Sequence, residues 1–247
     1  MTARALWHSA PDARVRVESR PWRLESVYYD AVEAFWESVR NHEPQFFRGP
    51  VLSVTGVQAD ANGPTLLTRW TDYAHFLYSH RHWPAEHPGY VRVLFAAACL
   101  ITRDGYLLAA EMGEKTVRPG WIQAVGGSAE PSDVSDGLFD PIRSVRREVA
   151  EETGLDLADP GVAQSVHVAG YTEDLRDGSM AVAVKVQLAL TQSEARQRFA
   201  SRPVGQDPEL SDLLALPLGP EGASALKSLG QPTVRYLDAL LQAPELA

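Results

Sequence analysis

Runs of apolar and β-branched residues recur along the chain and predict strands. Two runs, residues 91–98 and 105–111, flank a turn at Asp104 and Gly105, and an Asp-Gly turn between apolar runs is typical of a β-hairpin. The same pattern predicts further strands at residues 14–18, 51–57, 65–70, 121–125, 165–171 and 180–190.

Apolar residues three and four positions apart predict helices, and the one after Asp140 is the best marked. Asp140 supplies an N-cap, Pro141 suits the first turn, and Gly154 suits the left-handed position after the last turn. Its buried stripe would consist of Ile142, Val145 and Val149. Other helices are predicted at residues 28–40, 71–78 and 233–241, so the fold class is α+β.

The same helix carries a concentrated negative face. Glu148, Glu151 and Glu152 stand three and four residues apart, which places them on one side of the helix. Acidic helix residues usually form a solvated surface with basic neighbours, and Arg147 lies four residues before Glu151. A divalent cation held by carboxylate oxygens would also balance this charge. The helix alone leaves both interpretations open.

The segment before this helix favours a binding site. Residues 118–127 indicate a turn, a short strand and then the pair Gly126 and Gly127. Paired glycines allow a backbone to approach a ligand or another element closely.

Together these residues resemble the Nudix box, whose pattern is Gly, five residues, Glu, seven residues, then Arg-Glu-apolar-x-Glu-Glu-x-Gly-apolar. The second half matches at Arg147, Glu148, Val149, Glu151, Glu152, Gly154 and Leu155. In the first half, Asp133 stands where the family has Glu, and residues 134–146 are thirteen where the family has seven. The six extra residues are predicted to lie in a loop at about residues 135–140.

The resemblance implies the Nudix fold, a mixed β-sheet sandwiched between helices, and hydrolysis of a pyrophosphate linkage. It also implies that Mg²⁺, or Mn²⁺ in its place, is bound by Glu148, Glu151 and Glu152 with the backbone carbonyl of Gly127. Arg147 would orient a glutamate. Divalent ions neutralise developing charge and activate the attacking water.

The general base and the substrate contacts are less strongly indicated. The general base is either a box glutamate or one of three later residues, Glu173, Asp174 and Glu209. Acidic residues at such loop positions are more often ordinary solvated carboxylates. Glu173 is also a candidate for substrate binding, and Arg118 for a phosphate contact. A pocket for a base or sugar would use Trp121, Gln123 and Tyr171, although core packing explains the aromatic residues equally well.

The turn-rich residues 82–89 predict a boundary between an N-terminal α/β extension at residues 1–88 and a Nudix domain at residues 89–247. Residues 67–77 look similar to the UDP-glucose pyrophosphatase branch of Nudix enzymes. This favours a UDP-sugar, cleaved to UMP and a sugar 1-phosphate, over ADP-ribose or a nucleoside triphosphate. An inactive Nudix module that binds nucleotides for regulation is the alternative.

Histidines crowd the end of this extension, at His75, His80, His82 and His87. No cysteine accompanies them and their spacing fits no standard zinc site, so they are interpreted as surface residues of a loop.

Composition agrees with a globular enzyme. The chain has 247 residues, of which 45% are apolar and 22% charged. A net charge of −9 disfavours binding to nucleic acid or anionic membrane, and no basic helix-turn-helix is visible. The single cysteine, Cys99, excludes an internal disulfide and is predicted to be buried. No signal peptide or membrane-length apolar segment is present, so a cytoplasmic location is expected. The oligomeric state is not indicated.

Overall fold

The computed structural model describes residues 5–20, 22–42, 46–203, 205 and 208–247. Parts of the predicted extension (residues 1–4, 21 and 43–45) and residues 204, 206 and 207 therefore lie outside the described residues. The helices are α1 (Ser26–His42), α2 (Tyr73–His82), α3 (Pro141–Thr153), α4 (Gln192–Ser201), α5 (Pro220–Ser228) and α6 (Arg235–Leu241).

The strands form one mixed sheet. They are β1 (Ala5–Ser9), β2 (Arg14–Val17), β3 (Pro50–Asp60), β4 (Gly63–Asp72), β5 (Val93–Ile101), β6 (Tyr106–Met112), β7 (Ile122–Ala124), β8 (Val134–Ser135), β9 (Leu138–Phe139), β10 (Ala163–Asp174), β11 (Met180–Leu188) and β12 (Leu210–Pro217). Their order is β1-β10-β11-β5-β3-β4-β2-β9-β8, and β6 pairs with β5, β7 and β12. The pairs β11–β5 and β2–β4 are parallel and the others antiparallel. The α+β prediction is confirmed.

Strand β5 lies at the centre of the core and separates two apolar layers. Successive side chains of a strand point to opposite faces. Ala96, Ala98 and Leu100 therefore pack with the stripe of α3, whose Val145 and Val149 are fully buried. On the other face, the intervening residues pack with α6; they are Ala97, Cys99 and Ile101. Cys99 is buried, as predicted.

The N-terminal strands belong to the same sheet as the later ones. Strand β1 pairs with β10, β3 pairs with β5, and β2 pairs with β9. Strands on either side of residue 88 therefore share backbone hydrogen bonds, and the division of the chain at that residue stays a prediction. A separate small cluster joins α1 to α2 through Val32, Trp36, Val39 and Ala74.

Helix α2 begins two residues later than the predicted helix and ends four later. Asp72 caps it, accepting a hydrogen bond from the His75 amide at 2.9 Å. The interpretation of the histidines as surface residues is wrong for His75, which is 3% exposed. Its Nε2 donates to the Gly89 carbonyl at 2.8 Å, and the Thr71 hydroxyl lies 2.6 Å from Nδ1. Burial is possible because both ring nitrogens have partners.

The extra residues of the box form a hairpin, so the prediction of a loop at residues 135–140 is wrong for much of that segment. Strands β8 and β9 pair through a turn in which Asp136 (φ 52°) and Gly137 (φ 72°) are both left-handed. Two such residues suit a two-residue hairpin turn. Because β9 also pairs with β2, the hairpin joins the N-terminal strands to the start of α3.

Several elements had not been predicted, namely β1, β12, α4 and α5. A capping box of Thr191 and Glu194 marks the start of α4 and was readable from the sequence. In the described parts of the chain, no helix is both long and apolar enough to span a membrane.

Candidate active site

Helix α3 is fixed at both ends as the sequence predicts. The Asp140 carboxylate accepts hydrogen bonds from the amides of Ile142 and Arg143 at 3.0 and 3.1 Å. Gly154 adopts a φ of 73° at the C-cap. With Val145 and Val149 buried against β5, the rotation of the helix is set, and so is the direction of its acidic face.

The three glutamates of that face differ in burial. The Glu151 side chain is 62% exposed and the Glu148 side chain 13%. Glu152 is buried, with 8% of the residue exposed. On an ordinary solvated surface, all three glutamate side chains would be exposed to water. Their unequal exposure therefore favours a binding site over a solvated surface.

Arg147 is the cation at the centre of these acids. Its Nη1 donates to Glu148 Oε1 at 2.7 Å, and its Nη2 donates to Asp133 Oδ2 at 3.0 Å. Glu151 Oε2 lies 3.5 Å from Nη1. Burial lowers the pKa of Arg147, but the hydrogen bond to Asp133 and the charge of Glu148 outweigh it and raise the pKa. The guanidinium therefore stays charged and restrains Glu148.

Asp133 takes a buried place beside Arg147, with 1% of the residue exposed. Its Oδ2 also accepts the Glu130 amide at 3.1 Å, and its carbonyl accepts the Asp140 amide at 2.8 Å. Asp133 thus connects the segment before the hairpin, by hydrogen bonds, to the N-cap residue of α3 and to Arg147. Arg147 was predicted to orient a glutamate; that it also binds Asp133 could not be read from the spacing.

Glu152 has no ion-pair partner among the described residues. Burial, followed by the charges of Glu209 and Glu148, raises its pKa to about 8, against a hydrogen bond from Gly126 that lowers it. Its Oε2 is buried and has no hydrogen-bond partner among the described residues. Burial likewise raises the pKa of Glu148, and the charges of Glu151 and Glu209 contribute. Glu209, a candidate base, therefore lies within electrostatic reach of the site.

The glycine pair lies against this acidic face, and a side chain at either position would meet a close neighbour. A Cβ at Gly126 (φ 146°) would lie 2.3 Å from the Ala96 carbonyl oxygen of β5. A Cβ at Gly127 would lie 2.3 Å from Glu148 Oε1. Bridges from Val125 to Ala98 and from Ser128 to Phe95 hold both glycines against β5.

The donor set suits a hard cation. Glu148, Glu152 and Glu209 offer carboxylate oxygens, the ligand type that Mg²⁺ and Mn²⁺ prefer. The buried, unpartnered Glu152 Oε2 is an acceptor that a cation would satisfy. As the side chains stand, no group of three or more His, Cys, Asp or Glu residues is arranged to hold a metal within the described ranges.

The protein contains a cleft of about 590 Å³. Of the predicted substrate contacts, Arg118 and Trp121 line it, and the Arg118 guanidinium sits 5.1 Å from the Trp121 ring centroid. Asp174 also lines it but is bound to Arg235 at 2.6 Å. Gln123, on β7, is not among the lining residues.

Two other candidates lie apart from the acidic face. Glu173 pairs with His8 at 3.3 Å, and Tyr171 stacks on the same imidazole with ring centroids 4.6 Å apart. Neither residue lines the cleft.

Sequence reasoning missed most of the cleft. Lining aromatic residues come from both halves of the chain and include Phe76, Trp83, Tyr90, Phe95 and Tyr236. Burial raises the pKa of Tyr236, whose hydroxyl bonds the Ala124 backbone; the charges of Arg118 and Glu152 also act on it. Through Ala124, Tyr236 is bonded to β7, the strand that precedes the glycine pair. No local pattern in the sequence indicated this convergence.

No family model matches the chain, and no curated protein matches it. Solved structures similar to it include the DR0079 protein of Deinococcus radiodurans, with 14% identity over 78% of this chain and 96% of that one (TM-score 0.43). The MutT protein of Methanosarcina mazei Go1 has 17% identity over 60% and 88% (TM-score 0.36). A NUDIX hydrolase from Nitrosomonas europaea has 15% identity over 58% and 93% (TM-score 0.31).

Proposed function

We propose that the protein is a metal-dependent hydrolase that cleaves the pyrophosphate of a nucleoside diphosphate linked to another moiety. The observation that carries the proposal is the buried Glu152, which stands among other acids with one oxygen unpartnered. Packing alone gives no reason to bury a carboxyl group in this way, because a buried polar group without a hydrogen-bond partner is costly.

Glu148 and Glu152 would hold Mg²⁺ or Mn²⁺, with Glu151 and the Gly127 carbonyl as the further ligands that the Nudix resemblance implies. The bound ion would neutralise the diphosphate oxygens and lower the pKa of a coordinated water. Arg147 positions Glu148 through its hydrogen bond of 2.7 Å, and Asp133 holds Arg147 in turn.

Glu209 is the best-supported general base outside the box. Its charge acts on both Glu148 and Glu152, whereas Asp174 is paired with Arg235 and the Glu173 carboxylate lies 3.3 Å from the His8 ring. A base must be within reach of the water whose proton it takes. Glu209 would take that proton beside the diphosphate.

We propose that the linked moiety is a sugar and that the nucleobase is uracil. Cleavage would then give UMP and a sugar 1-phosphate. ADP-ribose and nucleoside triphosphates are the other substrates to test. The partner is thus a small nucleotide rather than a nucleic acid, and the cytoplasmic location stays a prediction.

The proposal is tested by incubating the protein with UDP-glucose, ADP-ribose and nucleoside triphosphates, with and without Mg²⁺, and identifying products by ³¹P NMR. We expect metal-dependent cleavage that Glu152→Gln lowers by about 100-fold or more while circular dichroism stays unchanged. Cleavage unaffected by Glu152→Gln, or by removing the metal, would overturn it.

Two observations favour the alternative of an inactive module that binds nucleotides. Arg147 already occupies a Glu148 oxygen, and the described acids do not form a ready metal group. Tight binding of a nucleotide, with no product after long incubation in Mg²⁺ or Mn²⁺, would establish this alternative.

A further inference from the structure

The aromatic cleft is built jointly by the N-terminal region and the later strands and helices. Phe76, Trp83 and Tyr90 come from α2 and the segment that follows it. Phe95, Trp121 and Tyr236 come from β5, the segment before β7 and α6. A volume of about 590 Å³ lies within the range of small-molecule sites.

Several polar groups of the walls are already bonded. His80 Nε2 donates to the Val91 carbonyl at 2.9 Å, and the Tyr90 hydroxyl lies 3.2 Å from His80 Nδ1. Asp174 and Asp177 both contact Arg235, at 2.6 and 3.5 Å. A sugar, whose hydroxyls each need a partner, would find few acceptors that are not engaged.

Aromatic surface and the unpaired hydroxyl of Thr172 are available to a ligand. Thr172 lines the cleft and is 1% exposed, yet its Oγ1 has no hydrogen-bond partner within the described parts of the chain. A flat ring with polar edges uses both features, since it stacks on aromatic faces and hydrogen-bonds at its rim.

Cations border the same cleft. Arg118 and Arg176 are exposed lining residues, and no ion pair of either is seen among the described residues. Guanidinium groups in this position suit the phosphate of a nucleotide whose base occupies the cleft.

We propose that this cleft binds the nucleobase of the substrate and that Trp83, supplied by the N-terminal region, is a specificity-determining residue. The inference deepens the proposed function by assigning the base, rather than the linked sugar, to this cleft. The Trp83 ring is held in place before a ligand binds. It stacks on His87 with ring centroids 4.2 Å apart, and Tyr28 and Tyr78 contact it edge-on. A fixed ring loses little freedom when it binds a ligand.

The test is calorimetric binding of UMP, AMP and glucose 1-phosphate to the full chain without metal, so that it does not depend on hydrolysis. We expect UMP or AMP to bind and glucose 1-phosphate not to bind. Trp83→Ala should raise the dissociation constant by about 10-fold or more, and Trp83→Phe should restore most of the affinity. Phe47→Ala, which removes an aromatic ring that is 82% exposed outside the cleft, should leave it unchanged.

Thr172→Val keeps the shape of the cleft and removes only the hydroxyl, so it tests the inference if Trp83→Ala does not fold. We expect it to weaken nucleotide binding by about 5-fold or more. The inference is overturned if neither nucleotide binds, if the variants bind like the wild type, or if only glucose 1-phosphate depends on Trp83. Nucleotide binding that depends on Trp83 without any hydrolysis would refute the proposed function alone.

Discussion

Gly126 and Gly127 are adjacent in the chain beside α3 but have different neighbours. We therefore expect an added methyl group to have different effects at the two positions. At Gly127 the methyl meets the end of the Glu148 side chain, which can move. We expect Gly127→Ala to cost little stability and to lower hydrolysis by about 100-fold, because a displaced carboxylate no longer holds its position. Steady-state kinetics and urea unfolding on the same sample measure both effects.

Gly126→Ala is the matched control. Its methyl would meet the backbone oxygen of Ala96, in a backbone conformation with φ 146° that L-residues rarely adopt. We expect a loss of about 3 kcal/mol in the free energy of unfolding. Equal effects of the two substitutions on both stability and activity would contradict the assignment of Gly127 to the site.

Asp133 supports the site through Arg147. Asp133→Asn keeps the size but removes the charge beside the guanidinium, and we expect a loss of about 1–3 kcal/mol in unfolding free energy with a reduced kcat. The KM should change little, since Asp133 lies outside the cleft. A variant with wild-type stability and kcat would refute this role.

Local spacing was sufficient to predict α3 and the direction of its acidic face relative to its buried stripe. The caps, the buried stripe and the three glutamates are all set within one helix, where period and capping apply directly. The pairing of Asp133 with Arg147 depends on how the intervening hairpin folds back, so it was not predicted. The convergence of Trp83, Tyr90 and Tyr236 also depends on tertiary packing.

The inserted hairpin is the element that connects the N-terminal strands to α3. The Val17 amide donates to the Gly137 carbonyl at 2.8 Å, and Val15 pairs with Phe139. Gly137→Ala places a side chain at φ 72° and should cost about 1 kcal/mol. Hydrogen exchange should speed up at Val17 and in the first turn of α3, and unchanged protection there would argue against this connection.

Most strands were predictable as elements because their apolar runs are long and bounded by turns. The hairpin was not, since β8 and β9 have two residues each and depend on β2 for pairing. Strand β1 was missed for a similar reason: its pairing with β10 spans more than 160 residues of sequence.

At the scale of the whole molecule, the buried His75 makes stability depend on pH. Burial lowers its pKa below the usual 6.5, so the unfolded chain binds the proton more tightly. The contribution of this shift to the free energy of unfolding is complete above about pH 6.5. It is lost as the pH falls toward the pKa of His75 in the folded protein. We expect the urea midpoint to fall between pH 7.5 and 5, and His75→Gln to show a smaller fall. Equal slopes for the two proteins would contradict this.

The central claim is that the buried acids of α3 bind a divalent cation. The most direct measurement is the binding of Mn²⁺ by electron paramagnetic resonance, compared between the wild type and Glu152→Gln, with Mg²⁺ as competitor. We predict Mn²⁺ binding that Mg²⁺ displaces and that Glu152→Gln weakens by about 10-fold or more. Identical Mn²⁺ binding by the two proteins, or no binding by the wild type, would contradict cation binding by the acids of α3.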